Sequence, residues 1–195
     1  MRKLGIVAIA LICITFGLPL VGIGGALLLE NQDSFCAACH TEPETTYYDQ
    51  SIKPSPVTLA AYHTQQKINC IDCHNGAGTF GRLSGLQQGA HDLLAFLSGT
   101  YRHPAITTNP LGDPACVKCH EHITNESSTG KNVVMNGHYH TYLPLWKTTD
   151  SQSALCGACH AAHIKGLEGL AFMSQGKVGT VCENCHTALG GKISR

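Results

Sequence analysis

Residues 68–76 read INCIDCHNG, and the C-x-x-C-H inside that stretch returns four more times, as CAACH at 36–40, CVKCH at 116–120, CGACH at 156–160 and CENCH at 182–186. The 195-residue chain holds 11 cysteines and 12 histidines, a composition from which chance supplies roughly 0.04 copies of this signature. Every cysteine except Cys13 belongs to one of the five.

The spacing has a chemical reason. Two thiols separated by two residues lie on one turn of chain and can bond both vinyl groups along one haem edge. The histidine that follows then falls beneath the macrocycle as an axial iron ligand. The expectation is five covalently attached haem c groups, held by Cys36 and Cys39, Cys70 and Cys73, Cys116 and Cys119, Cys156 and Cys159, and Cys182 and Cys185. His40, His74, His120, His160 and His186 are the expected proximal ligands. Competing uses of cysteine explain less. Zinc sites take ligands in fours and do not require a histidine after every second cysteine. A thioredoxin-like C-x-x-C needs a βαβ pattern that this sequence lacks. A disulfide framework accounts for the even number of motif thiols and leaves the histidines unexplained.

Seven further histidines remain for five open axial positions, enough for two imidazoles on every iron: His63, His91, His103, His122, His138, His140 and His163. His63 and His103 precede the second and third motifs, outside any strongly apolar stripe. His91 sits in LSGLQQGAHDLLAFLSG, where Leu83, Leu86, Ala90, Leu94 and Leu97 mark one face of a helix about four turns long, a face suited to packing on porphyrin. His163 follows the fourth motif in CHAAH, and a short helix continuing from that motif would direct it toward a neighbouring haem. His138 and His140, two residues apart, point in different directions in a helix or a strand, so they do not share an iron; His140 is favoured. His122 is the first choice for a non-ligand. Met135 and Met173 are weaker thioether alternatives, which would raise a haem's potential.

About 165 residues outside the first thirty carry five haems, roughly 33 residues for each, too few to build a conventional core, so the porphyrins must supply most of the buried apolar surface. The first cysteines of successive motifs are 34, 46, 40 and 26 residues apart, too irregular for a solenoid. The expected fold is mainly α and irregular, a multihaem cytochrome c with little or no β-sheet. ITNESSTGKN at 123–132 is expected as a loop, GLEGLAFMSQG at 166–176 as a short helix, and GGKISR at 190–195 as a loose tail.

Residues 4–29, LGIVAIALICITFGLPLVGIGGALLL, carry no charge, and as one helix rising about 1.5 Å per residue they exceed the roughly 30 Å hydrocarbon thickness of a bilayer. The run is longer than a signal-peptide core and no small-x-small cleavage site follows it. One N-terminal transmembrane helix is therefore expected within an anchor at 1–30, kinked at Pro19, followed by a pentahaem domain at 31–195. Arg2 and Lys3 before the run, with Glu30 and Asp33 after it, put the N-terminus in the cytoplasm, the protein in the inner membrane and the haem domain on its outer, periplasmic face. A formal charge of zero provides no basic field for nucleic acid.

An apolar anchor followed at once by C-x-x-C-H, then HTQQKINCIDCHNG and GAHDLL, resembles the NapC/NirT family of membrane-anchored multihaem quinol dehydrogenases over about residues 4–165. That resemblance implies oxidation of menaquinol or ubiquinol near the first haem and delivery of electrons to periplasmic reductases. There are departures. CAACHTEP offers no methionine ligand, and of the family's quinol-pocket lysine and aspartate only Asp92 has a match, with Arg82 a poor substitute by position. The fifth motif exceeds the usual four. The sequence is more similar to the pentahaem ActA-type subunit of alternative complex III, which has one transmembrane helix and five c-type haems. This second resemblance implies that partner subunits oxidise quinol while the haem chain collects and forwards electrons in a respiratory or photosynthetic complex. The implied partners are iron–sulfur and quinol-binding subunits of a membrane electron-transfer complex, with a periplasmic acceptor such as a monohaem cytochrome c or a copper protein. An electron relay is thus the expected function, and a free-standing menaquinol dehydrogenase the alternative.

Overall fold

The computed structural model describes residues 5–7, 11, 13–39, 42–106, 111–125, 138–151, 154–167, 169 and 171–190. Among them are ten α-helices and no strands. In chain order these are α1 Leu18–Leu29, α2 Asp33–Cys39, α3 Glu44–Ser51, α4 Leu59–Gln65, α5 Cys70–His74, α6 Gly78–Ser98, α7 Pro114–Asn125, α8 His138–Thr149, α9 Cys156–Cys159 and α10 Gln175–Ala188. The mainly helical expectation therefore agrees with the described residues, but the transmembrane part does not.

Among the described residues the apolar N-terminal run is not one uniform α-helix. A π-helical stretch at Cys13–Gly17 precedes α1, and Pro19, which has no N–H to donate into the turn before it, stands at the start of α1. The 12 residues of α1 rise about 18 Å at 1.5 Å each, well short of the roughly 30 Å of hydrocarbon. Among the described residues no helix is long and apolar enough to cross a membrane. The expected single transmembrane helix is thus corrected. The expected inner-membrane, single-pass placement, with a cytoplasmic N-terminus and a periplasmic haem domain, depended on that helix and is corrected with it.

Two helices show how local chemistry sets their ends. Thr58 begins α4 by accepting the Ala61 N–H on its side-chain oxygen at 3.1 Å. The helix closes with Ile68 N–H on the His63 carbonyl at 3.1 Å and Lys67 N–H on the Thr64 carbonyl at 2.9 Å, with Lys67 at φ 64°. The same closure ends α6: Thr100 N–H reaches the Ala95 carbonyl at 2.9 Å and Gly99 N–H the Phe96 carbonyl at 3.1 Å, with Gly99 at φ 68°. α6 is longer than the four turns expected, at 21 residues.

Long-range pairing ties the end of the chain to its middle. Thr58 and Lys165 form an isolated antiparallel bridge, flanked by Ala60 N–H to the Ala162 carbonyl at 2.9 Å and Gly166 N–H to the Val57 carbonyl at 3.0 Å. A second bridge joins Leu167 to Met173 across a tight turn, with Ala171 at φ 50° and Phe172 at φ 58°. The helix expected over 166–176 does not form, because these backbone groups bond across the turn instead. A Cβ on Gly166 would lie 2.1 Å from the Phe172 carbonyl oxygen, so only glycine allows the approach. The loop expected at 123–132 begins inside α7, which runs to Asn125, and its remainder lies outside the described residues, as do residues 191–195 of the expected tail.

Burial is sparse. Ala61, Trp146, Ala154 and Phe172 are the buried apolar residues among those described, while Phe80 is 88 % exposed and Leu83, Leu94 and Leu97 on α6 are also open. The apolar face of α6 forms as expected, and the polypeptide leaves most of it uncovered, with Leu86 half-buried.

Candidate functional site

Each motif cysteine pair sits on a helix. α2 carries Cys36 and Cys39, α5 carries Cys70 and Cys73 with His74, α7 carries Cys116 and Cys119, α9 carries Cys156 and Cys159, and α10 carries Cys182 and Cys185 with His186. The helix geometry breaks at the histidine in two of them: His120 has φ −104° and ψ 30°, and His160, just past α9, has φ −101° and ψ 67°. Cys36, Cys70, Cys73, Cys116, Cys119, Cys156, Cys159, Cys182 and Cys185 are all free thiols. The side chain of Cys39 and the whole of His40 lie outside the described residues.

The motifs touch in the order in which the sequence presents them. Between the first and second, the Cys70 N–H donates to Asp33 Oδ1 at 2.8 Å and Asn69 Nδ2 donates to the Asn31 carbonyl at 3.1 Å. Burial pushes the Cys70 thiol up to about 12, with Asp33 beside it and Cys36 also contributing. Between the second and third, Lys118 Nζ donates to Asn75 Oδ1 at 3.0 Å. Burial raises the Cys73 thiol, an effect that Lys118 opposes and that Cys116 and Cys119 reinforce. Between the third and fourth, the Cys156 N–H donates to Asp113 Oδ1 at 2.7 Å, and Asp113 also pairs with Lys147 of α8. The Cys116 and Cys156 thiols share a hydrogen bond that lowers Cys116 to about 7 and holds Cys156 protonated. Asp113 itself is held below the usual carboxylate range: burial works to raise it, and the Lys147 and Cys156 hydrogen bonds outweigh burial. Between the fourth and fifth, α9 packs on α10, and burial, then Cys182 and Cys185, raise the Cys159 thiol.

Three motif histidines meet a second histidine. The ring centroids of His63 and His120 are 6.1 Å apart with their planes at 82°. Those of His74 and His163 are 6.1 Å apart at 26°, and those of His140 and His160 6.2 Å apart at 14°. His63 reaches its partner from α4, and its Nδ1 lies 2.9 Å from the Leu59 carbonyl. His160 Nδ1 lies 3.0 Å from the Ala171 carbonyl, which the left-handed turn at Ala171 and Phe172 turns toward it. A carbonyl can only accept, so Nδ1 donates in both, and in the neutral ring Nε2 keeps the lone pair. His163 stacks on Tyr47 with centroids 4.1 Å apart at 12°. Burial, and then His74, hold it down at about 4, so its ring is neutral near pH 7. The short helix expected to aim His163 does not form: α9 ends at Cys159, and the backbone bonds to residues 57–60 place it instead.

The other expected ligands are less gathered. His91 projects outward with a side chain 77 % exposed, its Nδ1 3.6 Å from Asp92 Oδ1. His103 is exposed before the third motif, and His186 is half-buried on α10. The side chains of His122 and His138 lie outside the described residues, as does all of Met135, while Met173 is in the bridge with Leu167. Arg82 pairs with Glu30, just past α1. Sequence reasoning missed Asp33 and Asp113, although each stands three residues before a motif, and it missed the Leu59 and Ala171 carbonyls, which carry no side-chain signal. Among the described residues no three or more His, Cys, Asp or Glu side chains converge as on a single metal ion. No family model, curated protein or solved structure matches the chain.

Proposed function

We propose that this chain is an electron relay built on five covalently attached haem c groups. It works beside iron–sulfur and quinol-binding partner subunits in an assembly resembling alternative complex III, and passes electrons to an acceptor such as a monohaem cytochrome c or a copper protein. The observation that carries the reading is the serial contact of motif with motif, first to fifth. Haem iron supplies reversible one-electron exchange between its ferric and ferrous states. The chain's part is to fix where each haem edge is anchored and what stands at its axial positions.

The histidine pairs support the same reading. A haem would take up to two imidazoles from the protein, and histidines here meet in twos. His63 with His120, His74 with His163 and His140 with His160 have ring centroids 6.1, 6.1 and 6.2 Å apart, and each pair would hold one haem iron between two imidazoles. On this reading His163, His63 and His140 would be the second protein ligands of the second, third and fourth haems. The Nδ1 bonds of His63 and His160 to backbone carbonyls hold each ring in the tautomer that ligates through Nε2. His91, His103 and His138 are the candidates for the first and fifth.

Mass spectrometry of the denatured protein tests the cofactor, and the expected mass is that of the chain plus five haems with Soret absorbance retained after acid extraction. An apoprotein mass without Soret absorbance sinks the proposal. Addition of a menaquinol analogue to the isolated chain tests the role: slow or absent haem reduction is expected, and rapid reduction favours a quinol dehydrogenase over a relay.

A further inference from the structure

Asp33 and Asp113 occupy matching places. Each stands three residues before the first cysteine of an odd-numbered motif, in DSFCAACH at 33–40 and DPACVKCH at 113–120; the same place holds Lys67, Ser153 and Gly179 before the second, fourth and fifth motifs. Each reaches away from its own motif. Asp33 Oδ1 accepts the N–H of Cys70 at 2.8 Å, and Asp113 Oδ1 accepts the N–H of Cys156 at 2.7 Å, partners 37 and 43 residues along the chain. A helix leaves its first N–H groups without partners inside itself, and the cysteine bonded in each case is the first residue of its helix, α5 or α9. One aspartate therefore completes the next motif's helix from a different element, with a charge-assisted bond.

The consequence concerns spacing. The bonded amide belongs to the residue whose sulfur anchors the next haem, so the carboxylate registers that anchor against the motif before it. The other junctions use different contacts: the exposed Lys118–Asn75 hydrogen bond, the packing of α5 on α7 and the His63–His120 pair between the second and third motifs, and the packing of α9 on α10 between the fourth and fifth. Resting on the haem reading above, we infer that Asp33 and Asp113 are positioning residues that lock the haems in pairs, first with second and third with fourth. Because electron transfer slows steeply with distance, the two carboxylate bonds fix the spacing for the hop from the first haem to the second and from the third to the fourth.

The test uses the full chain with its haems attached, as wild type and as Asp33→Asn, Asp33→Ala, Asp113→Asn and Asp113→Ala. Asparagine keeps a neutral Oδ1 acceptor and alanine keeps none. Hydrogen exchange at the Cys70 amide is expected to rise about tenfold or more in Asp33→Ala and a few-fold in Asp33→Asn, with Cys156 unchanged; the Asp113 variants are expected to do the reverse. In the Soret region, the circular-dichroism couplet from coupled neighbouring porphyrins is expected to lose amplitude in each alanine variant and to survive in each asparagine variant. Unchanged couplets in both alanine variants overturn the inference, as does asparagine failing as badly as alanine. If an alanine variant does not accumulate, the asparagine variants decide, since exchange that rises at neither cysteine also overturns it. A wild type without covalent haem is a different failure, visible by mass before any variant is compared.

Discussion

At the scale of the residue, Lys67 and Gly99 fill one role with unequal fitness. Both close a helix in the left-handed region by the same pair of backbone bonds. A residue with a Cβ gives up about 1–2 kcal/mol in that region, and glycine in its place gives up roughly 0.4–1 kcal/mol of unfolded-chain entropy. Lys67→Gly should therefore stabilise the protein by about 0.5–1 kcal/mol, and Gly99→Ala should destabilise it by about 1 kcal/mol or more. Denaturant titration of both variants measures the difference, and a destabilised Lys67→Gly refutes the account. His63 carries a second prediction on the haem reading. Its plane stands at 82° to that of His120, whereas the other two histidine pairs lie at 26° and 14°. Crossed axial rings leave two iron d orbitals nearly degenerate and give a strongly anisotropic low-spin EPR signal; near-parallel rings give a rhombic one. His63→Ala should remove the most anisotropic signal, create one high-spin haem and leave the two rhombic signals in place. Loss of a rhombic signal instead would mean that His63 serves a different iron.

Among the elements, α4 organises the most. Its cap, Thr58, is 2 % exposed, holds the Ala61 N–H and pairs with Lys165, so one residue sets both the helix that carries His63 and the segment that carries His163. Thr58→Ala should cost about 1 kcal/mol, read as a lowered thermal midpoint, and Thr58→Ser should recover most of it by restoring the acceptor; a serine variant no better than alanine would rule out capping as the cause. This element also shows what the sequence can and cannot tell. The single turn of chain that carries each cysteine pair was legible because five residues specify it, but that these turns belong to helices was not. α6 was legible from its apolar spacing, but its first turn was missed, since Gly78 and Gly81 carry no period. Apolar residues at 167, 170, 171 and 172 imitate a helix, yet backbone pairing of Leu167 with Met173 prevails over local preference. Hydropathy over 4–29 measured how apolar the run is and not whether one helix continues through it, which is where Pro19 and the π-helical stretch intervene. The partnership of His163 with His74 had no local signal, because it follows from the Thr58–Lys165 bridge between residues far apart in the chain.

For the molecule as a whole, the question is what takes the place of a core. Four buried apolar residues, two of them alanine, are few among the described residues, while the entropy of ordering a chain grows with every residue fixed. Fully burying a large apolar side chain is worth only about 1.5–3 kcal/mol, so Trp146 and Phe172 cannot offset that entropy, and the uncovered Phe80, Leu83, Leu94 and Leu97 contribute little as they stand. Five porphyrins set among the motif helices would add large apolar faces where the polypeptide lacks them, and each thioether pair would tether a face to its own helix. Folding and cofactor attachment then become one event. Replacing all ten motif cysteines by serine leaves the helix-forming sequence almost unchanged and removes the tethers, so helical circular dichroism should fade gradually on heating, without a cooperative transition. The wild-type protein carrying its haems should unfold in a single cooperative step with a clear heat-capacity increase. Differential scanning calorimetry of the two distinguishes the cases, and a serine variant that melts cooperatively within a few degrees of the wild type would show that the polypeptide holds its own fold.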